Sequence, residues 1–256
     1  SNNYIYGKQP FSVVSNDNVG VAKTALYYST DPEAPLESWT LIDEHNGSSY
    51  SQNIDTTVMT NGVVYVVAKI YDAVGNFTYS PKQRYMCDNQ GPEQVKNVKC
   101  IAVDGTTATL SWSDVSDDDI SYFVVECKQS DGVWKSVSRT STNLGVNLSG
   151  LTPEHDYVYR VIGYDKRSNR GTPSEEITVT TLKDTICPKV TKITPDPGYF
   201  KSEINLRFTA EDDYRVKSIE IQTSTDKESW KTVSEIKATG ESAKCTFDCK
   251  LDLKNY

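Results

Sequence analysis

The sequence predicts an all-β protein made of several β-sandwiches in a row, and three observations carry the prediction. Apolar residues alternate with polar ones in short runs: Ala108, Leu110 and Trp112, then Tyr122 and Val124, then Tyr157, Tyr159 and Val161. A period of two sends successive side chains to opposite faces of a strand, so one face can be buried. Clusters of Asp, Asn, Gly and Pro interrupt these runs where turns are needed. Composition points the same way, with 16 Tyr against 2 Met in 256 residues, because Tyr suits a pleated, half-buried surface. A chain of this length accommodates two to three sandwiches of about 100 residues each.

Composition and charge exclude several partners. A hydrophobic content of 37% against 24% charged residues is enough to pack cores. The formal net charge is −8. Phosphate backbones and anionic lipid surfaces are bound through clustered Lys and Arg, so neither nucleic acid nor a membrane surface is an expected partner. No apolar run approaches the ~20 residues of a membrane-crossing helix.

The six cysteines, Cys87, Cys100, Cys127, Cys187, Cys245 and Cys249, do not read as a disulfide framework. Cys245 and Cys249 fall on one face of one expected strand, about 13 Å apart and beyond disulfide reach. No pair has C-x-x-C spacing, and neither His45 nor His155 stands near a cysteine, so no zinc site is expected. Cys100 is expected to face the core, in phase with Val98. Cys127 is expected to face outward, in phase with Phe123 and Val125.

The two ends of the chain repeat each other. Asn18-Val19-Gly20-Val21-Ala22-Lys23, Tyr28-Ser29-Thr30-Asp31 and Ser38-Trp39-Thr40 match, in order and chemistry, Asp213-Tyr214-Arg215-Val216-Lys217, Thr223-Ser224-Thr225-Asp226 and Ser229-Trp230-Lys231. Asp88-Asn89-Gln90-Gly91-Pro92 and Asp184-Thr185-Ile186-Cys187-Pro188 break any strand and mark boundaries. Three modules follow: 1–88, 89–183 and 184–256. Short linkers with Pro favour a semi-rigid rod. Measured from the shared Thr-Asp, the first module is short of an opening strand and the last of a closing hairpin. The chain therefore reads as a segment of a longer protein.

The middle module carries a family resemblance. A strand-borne Trp112, then Leu151 and Tyr157 at the corner before an alternating run, resembles the fibronectin type III sandwich over residues 92–182. Strands are expected near 95–102, 106–113, 121–128, 133–139, 144–149, 156–165 and 175–182. One inward phase would bury Trp112, Tyr122, Leu151 and Val161 together. The resemblance implies that the Tyr157 hydroxyl bonds to backbone a few residues upstream, as in a tyrosine corner. The outer modules resemble bacterial Ig-like domains, and Asp72-Ala73-Val74-Gly75-Asn76 resembles the last hairpin of that family. The fold class is thus all-β, with tandem Ig-like and fibronectin type III β-sandwiches. The order of modules is similar to stretches of large Gram-positive surface or secreted proteins, including YD-repeat (Rhs-like) proteins.

Candidate sites are few. His45 is expected in a turn at residues 43–47 and His155 in a loop, neither held by packed neighbours as a Ser–His–Asp or Cys–His site requires. Asp114, Asp117, Asp118 and Asp119 crowd one loop, Glu211, Asp212 and Asp213 another, and Asp17 a third; these are the metal candidates, for calcium. None has the EF-hand spacing or its Gly, and adjacent carboxylates diverge unless the loop turns sharply. Solvated loops, no metal and no cofactor are the expectation. Trp39, Trp134 and Trp230 occupy equivalent places and are expected to cover sheet edges; exposed sugar-stacking platforms are the alternative.

These readings converge on a non-catalytic structural spacer or interaction segment of a larger extracellular or cell-surface bacterial protein. Its expected partners are neighbouring domains of the parent chain and an unidentified protein or glycan ligand. The alternatives are an adhesion module, and an accessory region of a secreted polysaccharide-degrading enzyme or Rhs-like toxin.

Overall fold

A computed structural model describes residues 3–113, 115 and 117–255, and it is all-β. Asp114 lies outside the described residues. The first set of strands is β1 (Tyr4–Ile5), β2 (Lys8–Val14), β3 (Val21–Ser29), β4 (Thr40–Asn46), β5 (Ser49–Asp55), β6 (Gly62–Asp72), β7 (Phe77–Tyr79) and β8 (Gln83–Cys87). One sheet runs β1-β8-β6-β3-β4, with β7 paired to β6; the other is the pair β2-β5. Leu26, Val64, Val66 and Ala68 of the large sheet meet Tyr50 and Ile54 of the small one in a single core cluster. These are alternate residues along β5 and β6, as the period of two requires.

The second set is β9 (Lys99–Val103), β10 (Thr107–Ser111), β11 (Ile120–Lys128), β12 (Trp134–Thr140), β13 (Gly145–Ser149), β14 (Asp156–Asp165) and β15 (Ile177–Thr180). It forms a three-stranded sheet β13-β10-β9 and a four-stranded sheet β12-β11-β14-β15. Ala108, Leu110, Trp112, Phe123, Val125, Leu151, Tyr159 and Val161 are buried. The Trp112 and Phe123 rings meet edge to face, centroids 5.6 Å apart.

The third set is β16 (Lys189–Thr194), β17 (Glu203–Glu211), β18 (Ser218–Thr223), β19 (Lys231–Lys237) and β20 (Lys244–Asp252), arranged as β16-β17-β20 and β18-β19. Phe208, Ala210, Val216, Ile221, Phe247 and Leu251 make its core. One turn design recurs in the first and third sets. Asp17 accepts hydrogen bonds from the N–H groups of Val19 and Gly20, and Asp212 from those of Tyr214 and Arg215. Each aspartate thereby leads the chain into β3 or β18, a side-chain mimic of a turn.

The chain divides into two compact units. One holds residues 1–94, 115–122 and 162–172; the other holds 95–114, 123–161 and 173–256.

Three expectations need correction. Phe123, Val125 and Cys127 of β11 are all buried, Cys127 against the outward expectation; Tyr122 is half-buried and stacks on Tyr164 at 4.8 Å, while Val124 is buried as well. Residues 122–125 are all apolar, so alternation alone is silent there. The polar Glu126, which pairs with Arg160, marks the outer face. His45 belongs to β4, exposed near its end, and the chain reverses at Gly47-Ser48. The three tryptophans are not equivalent. Trp39 is buried and donates its indole N–H to the Ala34 carbonyl at 3.2 Å. Trp134 lies half-buried under the Arg160 guanidinium, 4.0 Å from its ring centroid. Trp230 is 58% exposed.

Candidate functional site

Two turns of one design organise the first unit. The Asp72 carboxylate accepts from the N–H groups of Val74 and Asn76 and from the Asn76 side-chain amide. Asp165, only 1% exposed, accepts in the same pattern from Arg167 and Asn169 N–H and from the Asn169 amide, at 2.7–2.8 Å. The second turn reads Asp165-Lys166-Arg167-Ser168-Asn169, with Ser168 where the first has Gly75. Both take positive φ, 67° and 94°. Gly adopts that region without strain and Ser rarely does, so the motif is hidden in the sequence unless the Gly position is relaxed.

This turn gathers an acidic cluster. Oxygens of Asp88, Asp119 and Asp165 lie within 4.8 Å of one another. The Arg167 guanidinium sits among them: it pairs with Asp88 at 2.9 Å and with Asp119, and lies 3.6 Å from the Tyr4 ring centroid. Burial pushes the Asp88 and Asp119 carboxyls up, with Arg167 pulling Asp88 partly back and Asp117 pushing Asp119 further up. Asp119 therefore clusters across loops with Asp88 and Asp165. Asp118 is exposed and its carbonyl accepts from Lys166. Asp117 accepts from the Asp119 N–H.

The second unit repeats the theme. Asp184, Asp212 and Asp213 come together, and Asp213 accepts from the Thr106 hydroxyl at 3.1 Å. Asp88 and Asp184 each open a segment without strand that ends in Pro. Sequence reasoning located both segments and the acidic loops, but not their meeting.

Either cluster has the oxygen chemistry of a calcium site, which takes six to eight ligands. In the first, Arg167 already supplies the positive charge. Thermal melts with excess calcium and with chelator are expected to coincide within a degree or two. A site filled to about 100 times its dissociation constant would add about 2.7 kcal/mol, a shift of several degrees that would identify a cation site.

The Tyr157 hydroxyl accepts a 2.8 Å hydrogen bond from the Thr152 N–H, five residues upstream. Thr181, buried, braces the same corner by donating to the Thr152 carbonyl and accepting from the His155 N–H. Tyr157→Phe is expected to cost about 1 kcal/mol in urea unfolding.

No arrangement for nucleophilic catalysis forms among the described residues. Both histidines are exposed. All six cysteines are free thiols, and burial pushes Cys87 and Cys127 upward, away from the reactive thiolate. Among the described residues no helix is long and apolar enough to cross a membrane.

The fold is thus that of tandem β-sandwiches. Residues 93–180 match the family Fibronectin type III domain. The chain is similar in structure to the chicken CNTN1 FN1-FN3 domains (13% identity, TM-score 0.43, covering 71% of this chain and 65% of that one). It is also similar to domains A168-A170 of titin (17% identity, TM-score 0.43, 71% and 62%). A third likeness is to the fibronectin type-III domain of human fibronectin type III domain containing protein 3 (24% identity, TM-score 0.35, 43% and 97%). The chain spans less than two thirds of the first two structures. None of the curated proteins matches it.

Proposed function

We propose that the chain is a non-catalytic spacer in a larger cell-surface or secreted bacterial protein, its outer modules being Ig-like siblings around the fibronectin type III domain. It holds neighbouring domains of its parent chain at a set separation. The observation that carries this reading is the pinned boundary segment of the first unit. Asn89 accepts from the Gly7 N–H at 2.6 Å, donates to the Thr56 carbonyl, and gives its own N–H to Asn61. The Asp88 carbonyl accepts from Asn169. A Cβ at Gly91 would overlap the Arg170 backbone, and one at Gly171 would lie 2.6 Å from the Pro92 carbonyl oxygen. A flexible tether needs none of these contacts; a rigid connector needs them all.

Backbone ¹⁵N relaxation tests the reading. Residues of β6 and residues 162–172 are expected to share one tumbling time, with the Asn89 amide exchanging as slowly as its strand neighbours. Gly91→Ala is expected to loosen the segment, so that the tumbling times separate. Independent tumbling in the unaltered protein would remove the spacer reading.

A further inference from the structure

The strands β17, β18, β19 and β20 repeat β2, β3, β4 and β5 in order, pairing and register. β2 pairs with β5, Lys8 opposite Asp55 and Val13 opposite Tyr50; β17 pairs with β20, Glu203 opposite Asp252 and Phe208 opposite Phe247. A short helical turn follows each pair, Thr56–Val58 and Leu253–Asn255. Its first N–H donates to the carbonyl of Gly7 in one case and of Ser202 in the other. β3 bulges against β4 between Leu26 and Tyr27, and β18 against β19 between Ile221 and Gln222. Each bulge begins nine residues after the turn aspartate, 26 − 17 and 221 − 212. Glu220 therefore holds the place of Ala25, Ile221 that of Leu26, and Glu235 that of Glu44.

The two arrangements differ at the other edge of that strand. β3 is paired on both sides, with β4 and with β6, whose Val66 and Ala68 stand opposite Tyr28 and Leu26 and enter the core. Among the described residues β18 pairs with β19 alone. The core face is open as well. Val190 and Ile193 of β16 stand opposite the core residues Ala210 and Phe208 and so share their face, yet each is 52% exposed. A strand edge flanked by apolar residues in water is a template for another strand. Charge narrows the choice of strand. Glu220 stands directly opposite Glu235, an unfavourable pairing of like charges. In the first set Glu44 is paired with Lys23, and β6 places Lys69 opposite Ala25. β18 has Ser218 in the place of Lys23, and the Glu220 carboxylate accepts from two neutral groups, the Gln222 amide and the Thr232 hydroxyl.

We propose that the open edge of β18 accepts an extended peptide strand, antiparallel to β18, with apolar residues at alternate positions and a Lys directly opposite Glu220. Such a strand completes the third set as β6 completes the first. Its backbone pairs with that of β18, its apolar residues cover the core face beside Ile221, and its Lys balances Glu220 and Glu235. A sugar supplies neither the ladder of backbone donors and acceptors nor the alternation. A second copy of the chain would bring β18 itself, Ser-Ile-Glu-Ile-Gln-Thr, which adds a carboxylate and no cation. This inference goes beyond the spacer reading and does not depend on it.

The probe is a synthetic peptide with the sequence of β6, Gly62–Asp72, titrated into the whole chain at concentrations where the peptide alone is monomeric. In the register of β6 on β3 its Lys69 falls opposite Glu220. Saturable ¹H–¹⁵N shifts are expected at residues 218–223 and at Val190 and Ile193. A nitroxide at the N-terminal end of the peptide should broaden Thr223 more than Ser218, because β6 runs from Val66 opposite Tyr28 to Tyr71 opposite Lys23. The same peptide with Lys69→Glu should bind about tenfold more weakly, and the difference should shrink as salt is raised. Glu220→Lys in the chain should reverse the preference between the two peptides. Glu220 is exposed, and an unperturbed spectrum away from β18 and β19 establishes that the variant folds. The absence of saturable shifts, shifts centred on another strand, stronger broadening at Ser218, or equal binding of the two peptides would each overturn the proposal. So would self-association of the free chain through β18, seen as slower diffusion at higher concentration, because a second copy would then be the occupant.

Discussion

Replacing Trp112 by Ala is expected to destabilise the second unit by about 3–5 kcal/mol, the cost of emptying an aromatic site in a packed core. Trp112 is 5% exposed, and its edge-to-face partner Phe123 is fully buried. The backbone N–H of Trp112 is held by the Leu144 carbonyl at 3.0 Å, so neighbouring backbone cannot readily collapse into the space. The indole N–H, however, has no acceptor among the described residues. A buried unpaired donor costs about 1–3 kcal/mol. Trp112→Phe removes that donor while keeping a ring, and its cost should fall well below that of Ala. Urea unfolding of the whole chain, with amide exchange read at β10 and β11, separates the two variants. Similar costs for Ala and Phe would mean that the ring does not fill the core.

Arg167→Ala is expected to destabilise the first unit by about 2–3 kcal/mol. Removing one partner of a fully buried ion pair costs about 3–5 kcal/mol. Here the side chains are partly open, 13% exposed for Arg167, 21% for Asp88 and 31% for Asp119, so water screens part of the effect. The loss should depend on pH. Burial already raises the folded-state carboxyls of Asp88 and Asp119 above their ordinary value, and removing Arg167 raises them further. A raised carboxyl favours the fold when protonated. That contribution is full below the ordinary carboxylate range near 3.9 and is lost as pH rises through the raised folded value. The deficit of Arg167→Ala should therefore be largest at neutral pH and shrink in acid. Melts across that range test this, and a deficit independent of pH would mean that Arg167 acts by packing on Tyr4 rather than by charge.

Both predictions rest on features that were legible to different degrees. The strand at β14 was readable over residues 156–165, because Tyr157, Tyr159 and Val161 alternate with polar or smaller neighbours. At β11 the strand was readable but its facing was not, because four apolar residues in succession satisfy either phase. Trp112 stood out by alternation, whereas its partner Phe123 was placed on the wrong face. The Asp72 turn was visible through Gly75; its counterpart at Asp165 was obscured because Ser168 adopts the backbone conformation expected of Gly.

The sequence by itself determined the class of this protein, the repeat between its ends, and the places where its strands break. Those properties depend on local patterning, on the period of two and on turn chemistry, which act over a few residues. Only the tertiary structure decided that Asp88, Asp119 and Asp165 share Arg167, and that Gly91 lies against Arg170. Tertiary structure likewise set Lys69 among three rings. These groups are separated in sequence by up to 79 positions, 167 − 88. They meet because hydrogen-bonded registers and buried faces fold distant loops together, and no local pattern encodes that meeting.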